Sequence, residues 1–378
     1  MKKTFVLAPD SFKESMTAKE VCEAMEIGIK RAIPDATCIH VPMADGGEGT
    51  VQSLVDATGG ILIEKQVTGP LGNPVLARYG ILGDGKTGVI EMASASGIHH
   101  VTKETKNPMI TTTYGTGELI RDCIEKGITE IILGIGGSAT NDGGTGMARA
   151  LGYKFLDKAG RELPFGGGFL GALDKIDTSS VIPQIKNIHI LVASDVTNPL
   201  CGERGASVVF GPQKGATPEM VQTLDQNLRH YGEVVKAQLG IEIIDVPGAG
   251  GAGGLGAGLL AFTNSNMRKG IDIVIEYTQL KEKLRGADYC ITGEGGIDFQ
   301  TKFGKAPFGV AQAAKSVNSS MKVIALAGYI GQDIEVLYEE GFDAIFGIVP
   351  GAAELETLLA QGKANVARTA ESVARLLK

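Results

Sequence analysis

Residues 130–146 read EIILGIGGSATNDGGTG. Glu130 to Leu133 open with three apolar residues in four, the length and content of a short buried strand. Beyond Leu133 the side chains become small: Gly134, Gly136, Gly137, Gly143, Gly144 and Gly146 are interleaved with small hydroxyls, an amide and one carboxylate. Glycines at a strand exit let backbone N–H groups approach an anion closely, and a helix starting there adds its positive end. The same grammar recurs on both sides. APDS, MADGGEG, ASDVTNP and TGEGGID each end an apolar run with an acid, namely Asp10, Asp45 with Glu48, Asp195, and Glu294 with Asp298. Strand exits sharing one chemistry are the mark of an open α/β sheet, whose ligands lie beyond the carboxyl ends of the strands.

The rest of the chain fits that class. TFVLAPD reads as a buried strand, and Thr17 to Glu20 has the spacing of a capping box opening a helix that runs through Arg31. Thr217-Pro218 begins a long helix, and DYCITGEG, KVIALAG and AIFGIVP are strands separated by helices. Residues 61–97 differ: the turn signals GPLGNP and LGDGKT separate short runs, as in antiparallel hairpins. We expect an α/β protein of two domains with mainly parallel sheets, one inserted into the other. Residues 1–60 and 285–378 make a discontinuous three-layer domain, and residues 61–284 an inserted α/β domain with hairpins.

Composition narrows the function. The chain has 378 residues, 43% hydrophobic and 21% charged, which suffices for two cores. Its 54 glycines are about twice the usual ~7%, clustered where apolar runs end. A net charge of −7 argues against nucleic acid as a partner. The five cysteines form no CxxC pair, in keeping with reduced thiols. The amino-terminal apolar run stops at Pro9, too short for a signal-peptide core, and the longest uncharged run, 246–267, is glycine-rich. We expect a cytoplasmic protein with no membrane contact, monomeric or homodimeric.

Acids beside phosphate-type loops point to phosphoryl transfer, in which positioning and charge neutralisation do most of the work. Asp and Asn side chains suit Mg²⁺, which takes few protein carboxylates. Lys13 and Lys305 stand beside such exits as counter-charges, or as solvated surface lysines. A competing class is an oxidoreductase binding NAD at GIGGSA, a G-x-G-x-x-A match with Asp157 near the expected offset. Against it, NDGG interrupts the helix that this fingerprint requires, and Asp157 lies in KFLDKAGREL, which looks like a hairpin turn. No HExxH or GxSxG occurs.

Eight stretches together resemble one family, the type-1 glycerate kinases: APDSFKESMTA, ADGGEGT, TGPLGNPV, GIGGSATNDGGTGM, SDVTNPLCGERGA, FGPQKGA, PGAGGAGGLGAG and TGEGGIDFQTKFGKAPFGVA. They span most of the chain in this order. The resemblance implies ATP-dependent phosphorylation of D-glycerate to 2-phospho-D-glycerate with Mg²⁺. It also implies two Rossmann-like or flavodoxin-like α/β domains with the site in the cleft between them. The chain departs from the family pattern at Ser194, where a cysteine is common, at Gly251, and at Gly296, where an arginine often follows Gly-Glu-Gly.

On that basis Asp195, Lys13 and Asp45 are the expected catalytic residues, with Asp195 orienting and deprotonating the attacking hydroxyl. Asp10, Ser11, Gly46, Gly47, Glu48 and Asn198 are expected to hold substrate. Gly136, Gly137, Ser138, Thr140, Asn141 and Lys305 are expected at the nucleotide, and Asp142, Glu294 and Asp298 at the metal, although Asp142 also suits a helix cap. The alternatives are a kinase of another small hydroxy acid, the NAD-dependent oxidoreductase, and a non-catalytic glycerate sensor.

Overall fold

The computed structural model describes residues 2–378. These form two compact units: one holds the residues up to Asp45, Gln52–Gly60 and Lys269–Lys378, the other Gly46–Val51 and Ile61–Arg268. In chain order the strands are β1 (Thr4–Leu7), β2 (Thr37–His40), β3 (Ile61–Thr68), β4 (Pro74–Ile81), β5 (Thr87–Glu91), β6 (Glu130–Gly134), β7 (Lys154–Leu156), β8 (Lys175–Asp177), β9 (His189–Ala193), β10 (Asn264–Arg268), β11 (Tyr289–Ile297), β12 (Lys322–Ile330) and β13 (Ala344–Gly347).

The first unit is built on a fully parallel sheet of order β13-β12-β11-β1-β2. Counted within the unit this is 2-1-3-4-5, the flavodoxin-like order. Phe5 and Leu7 share a core with Val21, Met25 and Ile29 of the helix Ala18–Ala32 and with Val366 and Val373 of the helix Gly362–Leu377. The intervening Val6 and Ala8 are buried too, so both sheet faces are covered and the strands read as continuous apolar runs. Thr17 and Glu20 close the expected capping box. The expected division at 285 gives residues 269–284 to the other domain. Here the helices Gly270–Tyr277 and Leu280–Leu284 pack on the helix Ala306–Val317 of this unit, because Gly309 lacks the side chain that would strike Ile271.

The second unit carries a six-stranded sheet of order β10-β9-β6-β5-β4-β3. β5, β6, β9 and β10 are parallel, whereas β3–β4 and β4–β5 are antiparallel, as the turn signals of 61–97 predict. Its core gathers Ile90, Leu133, Ile190 and Val192 from the strands with Leu119, Met147, Leu255 and Leu259 from the helices. A second cluster lies under the long helix Pro218–Leu239, which Thr217 caps with Pro218 in its first turn.

Two local features remove the dinucleotide alternative. KFLDKAGREL is a turn, in which Asp157 N–H donates to Arg161 O at 2.9 Å and the Asp157 carboxylate pairs with the Arg161 side chain. The helix after GIGGSATNDGG spans only Thr145–Ala150. The other glycine-rich run, 248–258, opens the helix Gly251–Phe262 with left-handed Ala252, Gly253 and Gly254. It lies backbone to backbone on residues 140–144: a Cβ on Gly253 would stand 2.0 Å from Thr140 O, and one on Gly258 2.6 Å from Gly143 O.

Candidate active site

At the exit of β6, Gly134 has no room for a side chain, since a Cβ would come within 2.7 Å of Gly46 O. Gly46 and Gly47 therefore lie directly on this strand end, and Glu48 beside them is exposed. The loop beyond β6 is fastened through its carbonyls. Gly137 O accepts from Ile98 N–H (2.8 Å), Ala139 O from Thr111 Oγ1 (2.9 Å) and Thr140 O from Lys214 Nζ (2.6 Å). Ala139 N–H donates to Ser96 O, and Asn141 Nδ2 to Ser207 Oγ.

The N–H groups are used differently. Among the described residues, those of Gly136, Gly137 and Ser138 donate to no protein acceptor. Gly136 and Gly137 are exposed, and Gly137 adopts a φ of 72° that favours glycine. Consecutive free N–H groups around a left-handed residue form an anion-binding concavity. Thr140 and Asn141 are wholly buried, with Thr140 Oγ1 and Asn141 Oδ1 lacking partners.

Lys214 lies in FGPQKGA, one of the stretches that carry the family resemblance, but no local pattern marks the lysine itself as functional. It ends a short 3₁₀ turn, Pro212–Lys214, and is 1% exposed. Its Nζ donates to Ser138 Oγ at 2.7 Å as well as to Thr140 O. Burial brings this amine down to about 7, against a smaller upward pull from Asp142. The turn-rich FGPQKGA around it says nothing about a partner 76 positions away.

Asp142 is buried in the same unit, and its oxygens accept from Thr113 N–H and Oγ1, Gly144 N–H and Gly146 N–H. Burial raises its carboxyl while these hydrogen bonds hold it down. The carboxylate thus caps the turn into Thr145–Ala150. Asp195 stands exposed just past β9, and Asn198 Nδ2 donates to Arg204 O at 2.7 Å, shaping the loop between them.

The first unit brings together a second set. In a 2-1-3-4-5 sheet the switch point falls between the first and third strands, here β1 and β11. Asp10 leaves β1 there, its N–H donating to Gly293 O at 2.8 Å, and Ser11 N–H donates to Asp10 Oδ1 at 2.6 Å. The Lys13 backbone passes beside Gly295, while its side chain is exposed. Burial, then the charge of Asp45, and more weakly that of Glu294, push Asp10 up to about 7. Burial also raises Glu294, opposed by Lys305. Lys305 Nζ lies 3.2 Å from Glu294 Oε1 and 3.0 Å from Gly296 O, where a Cβ on Gly296 would meet open space. Lys305 is therefore placed at an acid of this unit, whereas the other expected nucleotide residues line the β6 loop. Asp298 caps the turn Phe299–Phe303 by accepting from Gln300 N–H at 2.8 Å. Among the described residues, no three His, Cys, Asp or Glu side chains stand as a ready-made metal-ligand set.

Known proteins share this architecture. A sequence model of the glycerate kinase family matches residues 5–378. The chain is 53% identical to the glycerate kinase of Haemophilus influenzae, over 99% of this chain and 98% of that one. It is 49% identical to the glycerate 2-kinase of Escherichia coli, over 98% and 97%. A crystal structure assigned to glycerate kinase 2 of Salmonella typhimurium LT2 superposes with a TM-score of 0.92 at 47% identity, covering 100% of this chain and 98% of that one. The chain belongs to the glycerate kinase family.

Proposed function

We propose that the protein transfers the γ-phosphoryl group of ATP to the 2-hydroxyl of D-glycerate. Its family makes it a glycerate kinase, an ATP-dependent phosphotransferase with a small-molecule acceptor. The observation that supports the site best is the row of free N–H groups on Gly136, Gly137 and Ser138 at a parallel strand's carboxyl end, a seat for phosphate oxygens. The name of the Escherichia coli relative favours the 2-position. Our candidates for holding the substrate carboxylate are, as alternatives, Lys13 or Ser11 in the first unit, or the N–H groups around Gly46 and Gly47 in the second, with Glu48 beside these glycines. Asp195 is our candidate for orienting and deprotonating the attacking hydroxyl.

Asp10, Asp45 and Glu294, whose mutual repulsion marks surplus negative charge, are our candidates from which one or two carboxylates would hold Mg²⁺, an ion that keeps several of its waters. When bound it would neutralise charge on the transferring phosphates. Lys305 offsets part of the same charge at Glu294. Among the described residues, no helix is long and apolar enough to cross a membrane.

The test is ³¹P NMR of the reaction with ATP, Mg²⁺ and D-glycerate, using L-glycerate as control. A new phosphomonoester signal coupled to a single proton, formed from the D isomer alone, is expected. Coupling to two protons would place the phosphate on C3 instead. In the same assay Asp195→Asn should slow turnover by ~10²–10⁴, and near-normal turnover would remove Asp195 from the proton-handling role.

A further inference from the structure

We infer that Lys214 is a positioning residue for the phosphate seat, holding the Ser138 hydroxyl so that its proton points at the bound nucleotide. This rests on the β6 loop as the nucleotide site. An ammonium can only donate, and a hydroxyl has one proton and two acceptor positions. Because Lys214 Nζ–H occupies an acceptor position of Ser138 Oγ at 2.7 Å, the hydroxyl is left to donate elsewhere. Ser138 lies at the rim of the loop, 9% exposed, next to the exposed Gly136 and Gly137 whose N–H groups are free. Its own N–H is free as well, so backbone and side chain offer donors from one residue. The second bond of Lys214, to Thr140 O at 2.6 Å, spans two residues of the loop and fixes its curvature. Lys214 itself does not touch the ligand. A cation under the seat also lowers the cost of placing phosphate charge above it, more strongly in protein than in water.

The arrangement depends on protonation. A neutral Lys214 amine has a lone pair, and Ser138 then turns its proton inward to it, leaving the seat without that donor. Burial lowers Lys214 to about 7. The charge bearing on it is the Asp142 carboxylate inside the unit; the exposed ammonium of Lys106 bonds the neighbouring Gln213 O at 3.3 Å. Nucleotide phosphates favour the charged form, so affinity for ATP falls as pH rises above neutrality.

The test compares full-length Lys214→Met, Lys214→Gln, Ser138→Ala and the Lys214→Met/Ser138→Ala pair. Lys214→Met should raise the KM for ATP ~10–100-fold, the range for one charge-assisted hydrogen bond, with the KM for D-glycerate within about twofold. Lys214→Gln keeps a donor without a buried charge, so it should recover part of the loss; it also decides the matter if the methionine variant does not fold. Ser138→Ala should raise the KM for ATP and weaken its rise with pH, Lys214→Met should remove that rise, and the pair should be no worse than Lys214→Met alone. Independent, multiplying effects in the pair, or an unchanged KM for ATP in both Lys214 variants, would overturn the inference while Ser138→Ala still upheld the nucleotide site. An unchanged KM for ATP in Ser138→Ala would instead overturn the site itself.

Discussion

An ammonium group inside protein loses its hydration, and Lys214 replaces it with one hydroxyl and one carbonyl. The cost shows in stability. In the unfolded chain a lysine stays protonated up to about 10.5, whereas the folded site releases its proton near 7. Between these values the unfolded state binds more protons, so raising the pH favours the folded state across that window, and below it this group contributes no slope. Urea unfolding should therefore show the wild type gaining about 2 kcal/mol on Lys214→Met between pH 7 and pH 9; equal pH dependence of the two would mean that Lys214 is not buried as described. Residues of this kind escape sequence reading because their partners are distant. Asp10, Asp45 and Glu294 are legible because an acid after an apolar run is a local pattern, and the fold then brings the three into electrostatic contact. Asp142 and Asp298 show the same local pattern, yet their carboxylates are taken up by N–H groups of their own turns. The pattern alone does not separate a cap from a ligand.

Among the elements, glycine does two different jobs. At Gly136 and Gly137 it exposes N–H groups; at Gly28, Gly253 and Gly309 it permits close packing. The helices Ala18–Ala32 and Gly362–Leu377 approach so closely at Gly28 that a Cβ would lie 2.0 Å from Ala367 O. Gly28→Ala should cost about 1–3 kcal/mol by forcing the pair apart. Gly351→Ala, with nothing within 4 Å of the new Cβ, should cost almost nothing in the same denaturant titration. Equal midpoints for the two would show that the helix pair is looser than this. Helix starts are readable, since Thr17 and Thr217 carry complete capping signals. The run 248–258 is not, because its left-handed entry into a helix comes from contact with the β6 loop rather than from its own propensity.

For the molecule as a whole, the alternation of strands and helices makes the α/β class legible, and the turn chemistry of 61–97 foretells the antiparallel edge of the second sheet. Strand order is not legible: the flavodoxin-like arrangement of the first unit joins β1 to β11 across most of the sequence. That pairing creates the switch point at which Asp10 and Glu294 meet, so topology assembles the acids while local glycine chemistry shapes the β6 loop. The central claim is that this loop seats the phosphates of ATP. The most direct measurement tracks the amide resonances of Gly136, Gly137 and Ser138 while a non-hydrolysable ATP analogue is added. Downfield amide-proton shifts at all three, produced by the analogue and by inorganic triphosphate but not by adenosine, are the predicted result. Unmoved amides at a saturating concentration of the analogue would contradict it.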